Sequence, residues 1–576
     1  MRNYYRKERI GKPELFTGRT KELTTLLKWV EGIKGESSKS TALLSRRKTG
    51  KTAIIERLYN IVFHNNDTVV PFYFEIEEKD QWLLSFSIDF FLSFIYQYLA
   101  FKTRKSEYIS YPVKTFNHVI KIAENEKFNY IADIVKSVHE LSKKEEADSI
   151  WGIVINCPRL IAEHYNECIL QMIDEFQYIN RHIFHDKEKT RVIDNLAGSY
   201  HSTCEYKNAP LLISGSWIGW LMDDINKMLY GRCMYFFLDK MPQNDLIEMV
   251  FKYSYDRNIP VSEKTAYIIA EVSEGNPHYI SAIMDSFYEK KDLLTEDGIK
   301  RTLEYEITKG VINTAWMEYI DAAFPRINDV YAKKIVLYLS KNRKRKIGRT
   351  ELKEKLGIQL SDPELEKKLR TLYKADIIDS DGGMYRGVQD NVFDKVFRGL
   401  YSDDIDKFIN QEAPGEYKKL FEHISEKYKK LSGDYSRLKG AWAEFMFANH
   451  LRLHASKNNS RYKSMINNLP DDFEFVEYKS VWSYHSSPMH DPQFQIDIFA
   501  ESDHHYALIG EIKNRKAKFS IREAKDFQVK AMELIKIEKV KRYALFVFSR
   551  NGFHENAVDY LEKEGIAWTM DKNWLV

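Results

Sequence analysis

Two groups of residues in this chain could do chemistry on phosphates. The first is "SRRKTGKT", Ser45–Thr52, set between "STALL" (40–44) and "KTAIIERLYN" (51–60). The apolar run reads as a short buried strand, and the later segment as a helix beginning at Lys51. A strand, a tight loop and a helix N-terminus suit bound phosphate, because backbone N–H groups and the helix dipole receive its charge. The pattern G-x-x-x-x-G-K-[ST] is met with one departure, Ser45 at the first glycine. Gly50 stands where backbone must approach the ligand. Lys51 would reach the β- and γ-phosphates, and Thr52 would hold Mg²⁺. Arg46, Arg47, Lys48 and Thr49 complete the loop and give it positive charge.

"CILQMIDEFQ" (168–177) supplies the other half of a phosphoryl-transfer site. It reads as an apolar strand ending in two acids. Asp174 would enter the Mg²⁺ shell and Glu175 would polarise the attacking water. "APLLISGSW" (209–217) is a further buried strand, where Ser214 or Ser216 could sense the γ-phosphate. "LYGRCMYFFLDKM" (229–241) places Arg232 just before a strand. By chemistry alone that arginine is equally a surface residue.

The second group lies near the C-terminus. "FQIDIFAES" (494–502) carries Asp497 inside an apolar alternation, and "YALIGEIKNRK" (506–516) carries Glu511 and Lys513. Glu511 and Lys513 are two apart, so they share a strand face. A hairpin would bring Asp497 alongside. Buried acids are costly unless paired. Two carboxylates and a lysine on one face make a hard-cation site that suits Mg²⁺, with Mn²⁺ as a substitute. Such a cation polarises a scissile phosphate, while Lys513 orients or deprotonates the water. A structural ion pair between Glu511 and Lys513 is the plainer alternative. His485, His490, His504 and His505 read as polar loop residues.

These residues need positioning elements. A helix over 437–452, "RLKGAWAEFMFANHLR", carries Glu444. Strands are expected over 473–484, 494–502, 506–516 and 542–553, the last of them closing the unit. A helix with Gln528 stands before that last strand. Between the two groups, residues 242–325 read as helices punctuated by Pro242 and Pro277. "VYAKKIVLYLSKNR", "GRTELKEKLGI" and "SDPELEKKLRTLYKADII" read as three helices, the last capped by Ser361 or Asp362 with Pro363 in its first turn. "IDSDGGMYRGV" then reads as a hairpin with Gly382 and Gly383 at its tip. Three helices and a hairpin suggest a winged helix. Its basic run "KNRKRKIGRT" (341–350) could contact phosphates, although acids are mixed into the third helix.

The chain has 576 residues, too many for one core. The fold class expected is α/β multidomain. An ATPase-type core spans 1–241, a helical lid 242–325, a winged helix 326–402, a charged helical linker 403–430, and a C-terminal α/β unit 431–576. Hydrophobic residues make up 44% and charged residues 30%, with 87 basic against 84 acidic side chains and a net charge of +3. That excludes a disordered polyelectrolyte and confines nucleic-acid contact to local patches. "IKNRKAKFSIREAK" is one such patch. The four cysteines form no C-x-x-C pair, which argues against a zinc site or disulfide frame and fits a reducing cytoplasm. The N-terminus lacks the apolar core of a signal peptide. "WLLSFSIDFFLSFIYQYLAF" (82–101) is long enough to span a membrane but carries Asp89 and Gln97, so a helix buried against a sheet is expected, with no membrane partner.

A resemblance follows from these segments. "ELFTGRTKELTTLLKWV" (14–30), "SRRKTGKT", "ILQMIDEFQ", "LLISGS", "LYGR" and "EGNPHYI" (274–280) are similar, in order and spacing, to archaeal-type ATPases of the AAA+/STAND group. The resemblance covers residues 10 to about 400. It implies ATP as the nucleotide, a lid around the G-N-P segment, and assembly into a homo-oligomer in which Arg232 reaches a neighbour's nucleotide. His278 stands where other lids carry a sensor arginine. Residues 431–576 resemble the PD-(D/E)XK nuclease superfamily through Asp497, Glu511-x-Lys513, Glu444 and Gln528. Together they imply an ATP-dependent or ATP-regulated, Mg²⁺-dependent DNA endonuclease, in defence against mobile DNA or in DNA repair. Two readings stand beside it: a nucleotide-gated switch, and a DNA-remodelling ATPase, either with a C-terminal domain that only binds nucleic acid. RNA is a weaker substrate choice, since nothing reads a 2′-hydroxyl.

Overall fold

The computed structural model describes residues 6–215, 218–327, 330–343, 345–388, 390–397, 435–486, 492–515 and 517–575. The linker expected over 403–430, Ser216 and His490 lie outside the described residues.

Among the described residues of the first 241 are seven strands: β1 Thr41–Leu44, β2 Val69–Glu75, β3 Gln81–Trp82, β4 Cys168–Asp174, β5 Ile183–Phe184, β6 Leu211–Gly215 and β7 Met234–Phe237. Five of them form one parallel sheet in the order β2-β4-β6-β1-β7. β1, β4 and β6 are buried throughout. That is why they read as continuous apolar runs rather than as alternations. In such sheets the carboxyl ends of the strands, where crossovers diverge, are the place for a ligand. The loop after Leu44 emerges there.

The long apolar helix packs against the sheet, as expected. Helix Leu83–Thr103 is long and apolar enough to cross a bilayer, yet 83% of its most apolar window is buried inside the protein. It lies on β2 and on helix Ala147–Tyr165. Phe72 of β2 meets Phe90 and Phe94 edge-on, with ring centroids 5.2 Å apart in each pair. Each such fully buried ring contributes roughly 1.5–3 kcal/mol. Gln97, polar within this apolar helix, accepts from Tyr73 N–H (2.9 Å) and donates to Tyr73 C=O (2.8 Å).

Helices Gln243–Asp256, Glu263–Val272, Pro277–Met284 and Glu296–Thr308 form a second core around Val250, Ile268, Ile280 and Ile299. Helix Val311–Ile327 gives Ile312 to that core and Tyr319 and Ile320 to the next. The third core holds helices Val330–Lys341, Arg349–Leu356 and Asp362–Lys374 with the antiparallel hairpin β8 Ile378–Asp381 and β9 Met384–Gly387. Ser361 and Glu364 form a reciprocal cap, with Pro363 in the first turn. Gly382 (φ +60°) and Gly383 (φ +78°) supply the left-handed turn between the strands.

The C-terminal unit is a mixed sheet of β10 Ser480–His485, β11 Gln495–Glu501, β12 Ala507–Lys513, β13 Tyr543–Ser549 and β14 Ala567–Thr569, in that spatial order. β10, β11 and β12 run antiparallel, and β12, β13 and β14 parallel. Helices Tyr435–Asn449 and Ile521–Glu538 pack on it. Two expectations fail here. The strand expected over 473–484 is confined to Ser480–His485. Phe473 and Phe475 alternate with polar residues because their rings fill the core beside Tyr462 and Trp574, and the backbone there pairs with no ladder. Nor is β13 the last strand. Helix Glu555–Lys563 follows it, and then β14, three residues long and too short to show alternation.

Candidate functional site

Helix Lys51–Asn65 starts at Lys51, after Gly50 in the left-handed region (φ +93°). Lys48 is also left-handed (φ +66°). Such backbone is strained in a non-glycine residue and persists where surrounding structure enforces it. Ser45 is integrated into the loop, since its hydroxyl and that of Thr49 are hydrogen-bonded across the turn. Lys51 is buried and donates to Ser45 C=O (3.0 Å) and Arg46 C=O (3.1 Å). Burial pushes its ammonium below the usual lysine range, with Glu175 and Asp174 pulling the other way.

Asp174 is the hub of this end of the sheet and has no exposed surface. Register places Ile173 of β4 beside Ile213 of β6, and Gly215 of β6 beside Leu44 of β1. Three strands therefore bring their ends together. Thr52 Oγ1–H donates to Asp174 Oδ2 (2.8 Å), Ser214 Oγ–H donates to Oδ1, and Tyr73 O–H donates to Oδ2 (3.3 Å). Threonine and aspartate are thus already joined where a hard cation with phosphate would sit. Oxygen donors of this kind suit Mg²⁺. Glu175 follows in the left-handed region (φ +55°), and Gln177 Nε2–H donates to its carboxylate. Gly215 makes room for that glutamine: a Cβ there would lie 2.0 Å from Gln177 Oε1.

Other residues of this group are engaged differently. Arg46 turns away from the loop mouth to pair with Asp379 of β8. Arg47 stacks over Tyr319, 5.5 Å from the ring centroid. Lys48 is held below its usual range by burial and then by Arg47. His278, at the start of helix Pro277–Met284, lines a small cavity with Arg47, Lys48, Asn276 and Trp316. Burial, with Lys48 and Arg47 beside it, lowers its imidazole to about 4, so it faces the loop as a neutral ring. Arg232 lies at the opposite, amino end of β7 and pairs with Glu205 (3.1 Å). It does not approach this chain's own phosphate loop.

Sequence reasoning missed three supports: Tyr73, Gln177 and Arg19. Arg19 is buried, donates to Thr49 C=O (3.1 Å) and to Asp239 C=O (2.6 Å), and so ties the phosphate loop to the segment leading into helix Gln243–Asp256. The signal was present in the segment "FTGRTKEL".

In the C-terminal unit, register sets Ile498 opposite Gly510, which puts Asp497 opposite Glu511 on adjacent strands. Lys513 Nζ pairs with Glu511 and lies 3.7 Å from Asp497 Oδ2. Ile512 N–H donates to Asp497 Oδ2 (2.8 Å). Burial and then Glu511 push the Asp497 carboxyl up to about 6. Burial opposes charge on Lys513, but Asp497 and Glu511 outweigh it and raise the ammonium above its usual range. Glu444 packs over the same strands, and burial, then Asp497, then Glu248 hold its carboxyl well above the usual range. Glu511 Oε2 is buried without a hydrogen-bond partner. An unsatisfied buried carboxylate oxygen beside a second carboxylate fits a bound cation. Among the described residues no three His, Cys, Asp or Glu side chains converge on one point, so two carboxylates would share a cation with water. Gln528 is turned away: it donates to Glu564 (3.0 Å) and accepts from Tyr560 O–H. His485 ends β10, and His504 and His505 are exposed.

The basic run at 341–350 is largely neutralised within its own unit. Arg345 pairs with Glu351, Lys346 with Asp381, and Arg349 with Glu366.

No family model matches the chain, and no curated protein matches it. Solved structures do. A Walker-type ATPase of Pyrococcus abyssi is similar at 16% identity and a TM-score of 0.45, covering 68% of this chain and 98% of that one. The ORC2 protein of Aeropyrum pernix, in ADPNP–ADP complexes, is similar at 12% identity and a TM-score of 0.39, covering 70% of this chain and 98% of that one. The RuvB Holliday junction branch migration motor of Thermotoga maritima is similar at 13% identity and a TM-score of 0.32, covering 71% and 99%.

Proposed function

We propose that this chain is an ATP-hydrolysing, Mg²⁺-dependent DNA endonuclease in which the nucleotide drives or regulates cleavage. The observation that carries the nuclease half is Asp497 opposite Glu511, with Lys513 against both and one carboxylate oxygen of Glu511 unpartnered. The ATPase half rests on Lys51 at the helix start and the Thr52–Asp174 pair beside it.

At the first site, the loop amides and Lys51 would bind the β- and γ-phosphates of ATP. Thr52 and Asp174 would hold Mg²⁺, with Ser214 fixing the orientation of Asp174. Glu175, held by Gln177, would accept the proton of the attacking water. At the second site, Asp497 and Glu511 would hold the cation. When bound, it would supply charge neutralisation at the scissile phosphate. Lys513 keeps its proton and orients the water. Glu444 packs over the same strands. Lys518, Arg522 and Lys525 are exposed on the segment that follows Lys513 and would track the DNA backbone. The core would assemble with further copies through the edge strand β7. Tyr230, Met234 and Phe237 are exposed there beside Arg232. Defence against mobile DNA and DNA repair both suit such a machine.

The test is cleavage of linear, single-stranded and branched DNA by purified protein with Mg²⁺ or Mn²⁺. Loss of cleavage in both Glu511→Ala and Lys513→Ala is expected. Cleavage that survives both changes would overturn the assignment.

A second reading has its own support. Arg46 of the phosphate loop is clasped by Asp379 from the hairpin unit. That contact suits a nucleotide-gated switch whose C-terminal unit only binds nucleic acid. It predicts DNA binding without cleavage on every substrate.

A further inference from the structure

Helix Tyr435–Asn449 belongs to two cores at once. Ala443, Phe447 and Ala448 pack into the core of the C-terminal sheet. Trp442 and Phe445 pack into the core around helix Gln243–Asp256. Phe251 of that helix meets Trp442 at 4.7 Å and Phe445 at 5.8 Å, and Tyr255 meets Phe445 edge-on at 6.0 Å. The spacing explains the division. Positions 442 and 445 share one helix face, while 443, 444, 447 and 448 lie round the other side. Glu444 therefore faces Asp497 and Glu511 while Trp442 and Phe445, on the other helix face, grip a different unit.

The other end of helix Gln243–Asp256 is tied to the phosphate loop. Arg19 N–H reaches Asp245 Oδ2 (3.4 Å) in its first turn, and the Arg19 guanidinium holds Thr49 C=O. Gly18 (φ +62°) permits this approach, since a Cβ there would lie 2.1 Å from Asp245 Oδ2. The same helix points Glu248 toward the C-terminal acids, where its charge acts on Glu444. Hydrogen bonds thus join Thr49, Arg19 and Asp245, and Phe251, on the same helix as Asp245, meets Trp442 on the helix that carries Glu444.

We propose that helix Gln243–Asp256 is a relay from the phosphate loop to the C-terminal acid site, and that Trp442 and Phe445 are positioning residues for Glu444. The inference rests on the nuclease reading for what Glu444 does, but not for whether it moves. A helix gripped at both ends transmits displacement, because packed cores shift between discrete arrangements rather than deform continuously.

Two readouts on the full chain separate the relay from the nuclease reading. The first is hydrogen exchange of the amides in 440–449 with and without ATP. In the parent, exchange there changes by about fivefold or more. The change disappears in Lys51→Ala and in Phe251→Ala. Unaltered exchange in the parent, or an ATP response kept in Phe251→Ala, overturns the relay whether or not the protein cuts DNA. The second is the ratio of cleavage rates with and without ATP. It differs from unity by about fivefold or more in the parent. It returns to within about twofold of unity in Phe251→Ala and Trp442→Ala, with ATP turnover kept. A ratio kept in both variants overturns the relay. Absence of cleavage in the parent overturns the nuclease reading and leaves hydrogen exchange to decide. Trp442→Phe, which keeps an apolar ring at the contact, serves if Trp442→Ala does not fold; a weakened ATP response is expected and an undiminished one counts against the relay.

Discussion

Replacing Asp497 with Asn should make the protein more stable above neutral pH while ending its action on DNA. Asp497 is buried opposite Glu511. Burial and then Glu511 raise its carboxyl from an ordinary 3.8 to about 6. A raised folded value means that the fold favours the protonated form. The stability this group contributes is full below its unfolded value and is lost as pH rises through about 6. At ~1.36 kcal/mol per unit, the loss above that range is about 3 kcal/mol. Asn keeps an acceptor for Ile512 N–H and removes the charge. The attraction to Lys513 Nζ, 3.7 Å away, already lies within that raised value. The net gain is therefore about 3 kcal/mol at pH 8, falling to about 0.5 kcal/mol at pH 4. Urea unfolding of parent and Asp497→Asn at the two pH values, without divalent cation, measures it. Mg²⁺ should then stabilise the parent and not the variant. A variant less stable than the parent at pH 8, or one with an equal gain at both pH values, would refute the reasoning.

Three further outcomes are expected. Lys51→Ala should reduce ATP turnover by about 10³-fold with far-UV circular dichroism unchanged, because the ammonium donates to carbonyls of its own loop. Undiminished phosphate release would sink the phosphate-loop assignment. Ser214→Ala takes one of four donors from Asp174, and turnover should fall about tenfold; an unchanged rate would make the serine a structural residue only. Gly18→Ala places a Cβ against Asp245 in a left-handed backbone and should cost about 1–3 kcal/mol in denaturant unfolding. Equal stability would contradict the close approach.

Much of this arrangement was legible in the sequence because local rules decide it. Helix Lys51–Asn65 begins at Lys51 as the loop pattern requires, and β4 ends at Asp174 as its apolar run does. The hairpin glycines and the Ser361–Pro363 helix start follow from turn and capping chemistry. Asp497, Glu511 and Lys513 came together because period-two alternation and a short hairpin leave few registers. What escaped depended on contacts distant in sequence. Arg46 looks like a phosphate ligand until Asp379, 333 residues later, claims it. Gln528 looks like a site residue until Tyr560 and Glu564 occupy it. The alternation of Phe473 and Phe475 mimics a strand, because packing into a core produces the same pattern as pairing in a sheet. Tyr73 sits two residues inside β2 and shows nothing, in one dimension, of its bond to Asp174.

In the proposed function, the two sites of this chain work as one enzyme. The most direct measurement is cleavage of linear and branched DNA with Mg²⁺, with and without ATP, by the parent, Lys51→Ala and Glu511→Ala. Cleavage by the parent should respond to ATP, cleavage by Lys51→Ala should no longer respond, and Glu511→Ala should not cleave. Cleavage by Glu511→Ala at the parent's rate, or no cleavage by the parent on any substrate, would contradict the proposed function.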